Sequence, residues 1–297
     1  MANRLLALAA ALSAAIVSPA MAADPPLAPS APWTLEYDTD SCALRRLFGA
    51  GEDRAYLEFR RFGPGSILQT IIASSRMKPT WPLAFRYRWG GEGEWRDVAY
   101  ANSVTLDTGF DGVLFEAGLG DSPEHPEIED PRERAAYFQT IDSRAIEEEA
   151  AARAEAISLR GAFRKELSLH LGSLAEPIAA LNKCVDELTT HWGIDVEAHK
   201  TLTRPAVPAN LPEVGSMIDY PPKMIRRRTQ GVVNIRLAVN ETGRITGCRI
   251  QMPLSDPVFE ETSCVDVQHA LDFYPALDKD GRPIASYWVT RVLFQLR

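Results

Sequence analysis

The chain has 297 residues, of which 24% are charged and 45% hydrophobic, a globular composition that excludes collagen-like, wholly disordered and multi-span membrane proteins. A chain of this length is expected to form about two domains. The formal net charge of -8 at pH 7 argues against nucleic acid as the main partner, because a phosphate backbone favours a basic surface.

Residues 1–22 show the pattern of a cleaved secretory signal. A single basic residue precedes an apolar run from Leu5 to Val17, and small residues follow where a signal peptidase reads the chain. A helix of about 13 residues is about 20 Å long, too short to cross a hydrocarbon core of about 30 Å. We therefore expect a periplasmic protein without stable membrane insertion, whereas a retained signal would anchor the chain in the inner membrane.

Four cysteines are expected to form two disulfides, because an exported protein folds in an oxidising compartment. They lack the close spacing that zinc sites favour, so no metal site is predicted. We pair Cys248 with Cys264 and Cys42 with Cys184, since each bond then lies within one predicted domain.

The N-terminal part of the exported chain is expected to be mainly β-structure. Residues 23–32 are rich in proline and alanine and predict a disordered tether. Residues 33–200 predict an antiparallel β module, because apolar and polar residues alternate in short runs between glycine-containing turns. Near its end, we expect a helix from about 131 to 156, two short strands, and a helix from about 174 to 191.

A second domain is predicted after a proline-rich segment at 201–219, which we interpret as a linker. In this domain, at 220–297, alternation predicts a half-buried strand at 233–239 and a second strand at 245–252. Asp256, followed by proline, predicts the start of a helix. A final strand completes a ββαβ order, and the whole chain is expected to belong to the α+β class.

Several short motifs occur together, and in order, in the second predicted domain. They are Tyr220-Pro221-Pro222, Gly231-Val232-Val233, Val239-Asn240-Glu241-Thr242-Gly243-Arg244-Ile245, Phe273-Tyr274-Pro275-Ala276 and Asp280-Gly281-Arg282-Pro283. With these motifs, the domain resembles the C-terminal domain of TonB proteins.

The resemblance implies protein recognition by strand addition. TonB domains capture a short segment of an outer-membrane transporter as an added strand, so the implied partner is a TonB-dependent transporter of the outer membrane. Residues 287–296 would form the binding edge, and Tyr220 and Pro221 would brace the start of the domain. The side chains of this edge on the face opposite the core are those of Tyr287, Val289, Arg291 and Leu293.

Other interpretations of the sequence stay open. In one, the final strand only closes the sheet. In a second, an uncleaved N-terminal helix makes the chain a membrane-anchored energy transducer; in a third, the N-terminal module is an enzyme or binds a small ligand. We favour reuse of the domain for binding alone, because a cleaved signal leaves no membrane attachment to transmit force. The sequence lacks HExxH, GxSxG, Walker and GxGxxG motifs, so we predict no catalytic residue and no cofactor.

Overall fold

The computed structural model describes residues 24–64, 67–77, 84–98, 101–120, 126–210, 217–252 and 256–296. The predicted secretory signal lies outside these residues, as do residues 211–216 of the predicted linker. No helix within the described ranges is both long enough and apolar enough to cross a membrane.

Strands dominate the described chain, with helices grouped in its middle and near its end. The strands of the N-terminal module are β1 (Thr34–Tyr37), β2 (Cys42–Ala50), β3 (Asp53–Arg61), β4 (Ile67–Ser74), β5 (Arg86–Trp89), β6 (Arg96–Asp97), β7 (Ala101–Thr105), β8 (Asp111–Gly118), β9 (Ala156–Arg160) and β10 (Leu167–His170). Its helices are α1 (Pro131–Gln139), α2 (Ser143–Arg153), α3 (Ala175–His191) and α4 (Val196–Lys200). The later strands are β11 (Val207–Pro208), β12 (Gly231–Val239), β13 (Ile245–Met252), β14 (Phe273–Tyr274), β15 (Ala276–Leu277), β16 (Pro283–Ile284) and β17 (Ser286–Phe294). The later helices are α5 (Pro222–Arg227) and α6 (Pro257–Ala270).

Two antiparallel sheets form the N-terminal module. The larger has the strand order β1-β2-β3-β4-β8-β7 and the smaller has the order β10-β9-β5-β6. Both sheets contribute to one apolar core, together with α2 and α3. The predicted α+β class is thereby confirmed. Alternation does not predict β2, because Arg45 and Arg46 interrupt its apolar run.

The long helix α3 is fixed to the larger sheet by a disulfide. Cys42 of β2 and Cys184 of α3 are bonded, with their Cα atoms 6.2 Å apart, as the sequence predicts. The helix buries Ile178, Leu181 and Leu188 at the spacing of one helical face. The bond therefore joins the start of the module to its last long helix.

The helix predicted from 131 to 156 is instead two helices. α1 ends at Gln139, and the Asp142 side chain then accepts a hydrogen bond from the Ala145 amide at 2.9 Å. An aspartate in this position satisfies one of the free amides at a helix start, so a new helix begins at Ser143.

The segment expected to be a disordered tether is ordered in its described part, 24–32. The Leu27 amide donates to the Ser168 carbonyl at 2.8 Å, and the Leu27 carbonyl accepts from the His170 amide at 3.0 Å. The following residues bridge to β2. Leu27 also packs against the core, so its apolar side chain and backbone together attach this segment to the module.

The C-terminal domain is built on a three-stranded antiparallel sheet of order β13-β12-β17, with α6 packed on one face. Val233 and Leu237 of β12 meet Phe259 of α6 in its core. Asp256 caps α6 by accepting a hydrogen bond from the Val258 amide at 3.1 Å, as predicted. The predicted ββαβ order is therefore present.

A second disulfide joins this helix to the sheet. Cys248 of β13 is bonded to Cys264 of α6, with the two Cα atoms 5.8 Å apart. This pairing agrees with the sequence prediction. It attaches α6 to the edge strand opposite β17.

Part of the predicted linker belongs to the C-terminal domain. Val207 pairs with Tyr274 in a short antiparallel ladder, and Ala206 is buried in the domain core. The Thr203 amide also donates to the Leu277 carbonyl at 3.0 Å. Local sequence does not show this pairing, because the partner residues lie far along the chain and the prolines obscure periodicity.

Candidate partner-binding site

Strand β17 forms one edge of the C-terminal sheet. It pairs antiparallel with β12 along its whole length, and no other strand in the described ranges pairs with it. On the outer side of such a strand, alternate residues direct their N–H and C=O groups away from the sheet. Strand β17, which the sequence predicts to be an edge strand, is therefore at the edge of this sheet.

Tyr220 and Pro221 lie where the chain enters the C-terminal sheet. The Tyr220 hydroxyl donates to the Thr229 carbonyl at 2.6 Å, so the bond joins the residues on either side of helix α5. Its ring makes edge-on contacts with Phe259 and Phe294, with centroids 5.7 and 5.5 Å away. Burial raises the pKa of the Tyr220 hydroxyl. Tyr220 thus connects the start of the domain to the end of β17.

The C-terminal sheet turns its other face to the larger sheet of the N-terminal module. Asn234 of β12 donates from Nδ2 to Gln69 Oε1 of β4 at 3.0 Å. Gln251 of β13 donates from Nε2 to the carbonyls of Asp40 and Phe62, at 3.1 and 2.6 Å. The two sheets therefore pack face to face. The expectation of a half-buried β12 is corrected, because both faces of this strand are covered.

Trp192, directly after α3, packs on the N-terminal core and also contacts side chains of the C-terminal domain. The Arg236 guanidinium lies 4.2 Å from its ring centroid, and the Tyr287 ring lies edge-on with a centroid distance of 5.4 Å. Tyr287 also stacks on His199, at 5.9 Å between centroids. Burial raises the pKa of the Tyr287 hydroxyl well above its ordinary value. Tyr287 therefore belongs to the domain interface.

Val289 and Arg291 also contact the N-terminal module. A Cβ atom at position 63 would lie 3.0 Å from Val289 Cγ2, so the glycine there permits the close approach of the two domains. Arg291 forms an ion pair with Glu116 of β8. Burial raises the pKa of the Glu116 carboxyl, and the charge of Arg291 opposes this shift.

Leu293 differs from the three other predicted side chains on this face, because 36% of its surface is exposed. Its cross-strand neighbour is Val232, which is buried between the domains. The interdomain apolar cluster consists of Ile71, Leu114 and Val232, with half-buried Tyr56, Val104 and Leu106 packed against it. Leu293 therefore lies where this cluster reaches the surface, at the open edge of β17.

Glu58 and Arg60 are buried charges of the larger sheet that pair with each other. Glu58 accepts hydrogen bonds from Arg60 Nε and Arg45 Nε, both at 2.7 Å, and from the Tyr56 hydroxyl at 2.5 Å. Burial acts to raise the pKa of Glu58, but these partners outweigh it and lower the pKa. In the part of the chain that the structure describes, no group of three or more His, Cys, Asp or Glu residues is arranged to hold a metal.

Comparison with known families identifies the domain that carries this edge. Residues 217–296 match the family model described as Gram-negative bacterial TonB protein C-terminal. This match confirms the resemblance predicted from the sequence. The family is an envelope-associated family of protein-interaction domains, not of enzymes. No curated protein and no solved structure matches the chain significantly.

Sequence reasoning missed the residues that join the two domains. Asn234 lies at a position of β12 that strand alternation assigns to solvent, and its partner Gln69 is remote in sequence. The available signal is the uncharged amide at an outward position, repeated by Gln251 on the neighbouring strand. Buried amides of this kind require hydrogen-bond partners.

Proposed function

We propose that this protein recognises another protein in the periplasm by adding an extended segment of that partner to the outer edge of β17. The observation that carries the proposal is the position of β17 at the edge of the sheet, paired along one side with β12. Main-chain hydrogen bonds supply affinity in strand addition, and pockets for alternate side chains supply specificity. The family match of residues 217–296 supports this mode of recognition.

A TonB-dependent transporter of the outer membrane is the partner that the family match favours. Tyr220 braces the start of the domain against β17 through its ring contact with Phe294, and Pro221 follows it at the start of α5. Tyr287, Val289 and Arg291 act indirectly, because they hold β17 against the N-terminal module. The backbone of β17 and the exposed part of Leu293 then contact the partner.

The domain acts in binding alone, without transmitting force, after cleavage of the secretory signal. N-terminal sequencing of the mature protein tests this part of the proposal. A start soon after residue 22 is expected. An intact Met1 in the membrane fraction would instead favour the anchored energy transducer.

Site-specific photocrosslinking tests the binding edge. A benzophenone amino acid at Leu293 is expected to form adducts with one extended segment of an envelope protein, located by mass spectrometry. The matched control is the same amino acid at Val265, an apolar position on α6 that is 48% exposed. Equal labelling from both positions, or none from Leu293, would overturn the proposal.

Proline substitutions test whether the backbone of the edge is used. Successive amides of an edge strand point in opposite directions, so Val289→Pro and Thr290→Pro remove amides on opposite sides of β17. The amide facing β12 supports the sheet, and its loss should lower the melting temperature more. The proline variant that keeps its melting temperature has lost an outward-facing amide, so it is expected to lose the photocrosslinked adduct at Leu293. If this variant forms as much adduct as the wild type, strand addition is contradicted.

A further inference from the structure

In the two packed sheets, neighbouring strands of the C-terminal sheet lie over neighbouring strands of the larger N-terminal sheet. Asn234 contacts Gln69, which places β12 over β4. Arg291, the cross-strand neighbour of Asn234, pairs with Glu116, which places β17 over β8. Neighbouring strands are about 4.8 Å apart in any sheet, so a strand added outside β17 would lie over the strand next to β8. That strand is β7.

The domain interface continues onto the face of β7 that carries Val104 and Asn102, the cross-strand neighbours of Gly112 and Leu114. The buried cluster around Val232 includes Leu114 of β8, and Val104 of β7 and Leu106 pack against it while staying half-buried. Leu293, the cross-strand neighbour of Val232 in that cluster, is 36% exposed. The interface cluster therefore reaches the surface on the side where an added strand would lie over β7.

We propose that a strand captured by β17 is bound by both domains and carries an apolar side chain where it passes Leu293 and Val104. This inference rests on the proposed function, and it gives the N-terminal module a part in selecting the partner. An apolar side chain here would bury its surface against both residues. A charged side chain would lose its hydration without a compensating partner. Valine or isoleucine suits the position, since β-branched side chains pack well on a half-buried pleated surface.

A defined peptide tests the inference on the full chain. The probe is a fluorescein-labelled peptide of alternating valine and threonine with lysine at both ends, and its comparison is the all-threonine peptide. Fluorescence anisotropy should show binding of the valine peptide at least about tenfold tighter, a difference of about 1.4 kcal/mol. Equal affinities for the two peptides, or no binding of the valine peptide, would overturn the inference.

Substitutions in β7 separate this inference from strand addition itself. Val104→Glu is expected to weaken binding of the valine peptide about tenfold or more, and the milder Val104→Thr severalfold, while the matched Val265→Glu leaves it unchanged. Melting curves establish that each variant is folded. If both Val104 variants bind like the wild type while the folded proline variant of β17 loses binding, the role of β7 is wrong and strand addition stands. If the proline variant also keeps binding and the Leu293 adduct, both proposals fail.

Discussion

Asn234 and Gln69 share a hydrogen bond of 3.0 Å across the boundary between the two domains. Both side chains are buried, with 4% and 5% of their surfaces exposed. A buried amide without a partner is costly, so this contact favours one relative position of the two sheets. The domain that carries the candidate edge is therefore held on a second domain.

Replacing Asn234 tests the strength of this attachment. Asn234→Ala is expected to lower the free energy of unfolding by about 1–3 kcal/mol, because the Gln69 carbonyl oxygen is left buried without its donor. Denaturant unfolding followed by fluorescence measures the change. The control is Gln268→Ala on the exposed side of α6, which should change stability by less than about 0.5 kcal/mol. Equal effects from the two substitutions would show that the Asn234 contact is not formed in solution.

Trp192 is expected to couple the unfolding of the two domains. Its ring contacts Arg236 and Tyr287 of the C-terminal domain, so Trp192→Ala removes a cation–π contact and an aromatic pair. We expect the single calorimetric transition of the wild type to separate into two. Trp95→Ala is the matched control, because Trp95 lies under Arg88 and Arg160 within the N-terminal module. A single transition in the Trp192 variant would contradict this coupling.

The two disulfides should differ in their effect on stability. The Cys42–Cys184 bond has a sequence separation of 142 and the Cys248–Cys264 bond one of 16. The chain-entropy relation gives about 5 kcal/mol for the longer loop and about 3 for the shorter. The double alanine variant of the first pair should therefore melt at a lower temperature than that of the second. The reverse order would show that loop length does not decide the difference.

Glu58 should make stability depend on pH in the acidic range. Its pKa in the folded protein lies below the ordinary value of 4.5, although burial acts to raise it, because Arg60, Tyr56 and Arg45 stabilise the carboxylate. The stabilisation is therefore present above about pH 4.5 and is lost as the pH falls through the folded pKa.

Melting temperatures measured from pH 6 to pH 3 test this dependence. Glu58→Gln should be less stable than the wild type at pH 6, since Arg60 loses the nearer of its two charged partners, Glu58 and Asp38. The difference in stability should narrow as the pH falls. Glu197→Gln is the control, because the Glu197 side chain is 84% exposed. A gap that stays constant with pH would contradict the role assigned to Glu58.

Local pattern was sufficient for the features that depend on near neighbours. Residues close together in the sequence were enough to predict three features of the C-terminal domain. These are the cap at Asp256, the strands β12 and β13, and the pairing of Cys248 with Cys264. The family motifs added the expectation of an edge at β17. For the cap and the disulfide, the residues that carry the signal are also the residues that make the contact.

Features that depend on distant contacts could not be predicted in this way. The prolines around Leu27 predict a tether, yet the Leu27 backbone forms hydrogen bonds with β10. Alternation places Asn234 on the solvent side of β12, because it cannot distinguish water from a polar face of another domain. The covered face of β17 depends on Trp192 and Glu116, which belong to the other domain.

Amide hydrogen exchange of β17 tests the central claim most directly. In the free full-length chain, alternate amides of β17 should be protected by β12 while the intervening amides exchange rapidly, because they face the open edge. Saturation with the valine–threonine peptide should slow exchange of those intervening amides. Uniform protection along β17 before peptide is added would show that the edge is already occupied, and rapid exchange that the peptide does not slow would show that it is not the binding site.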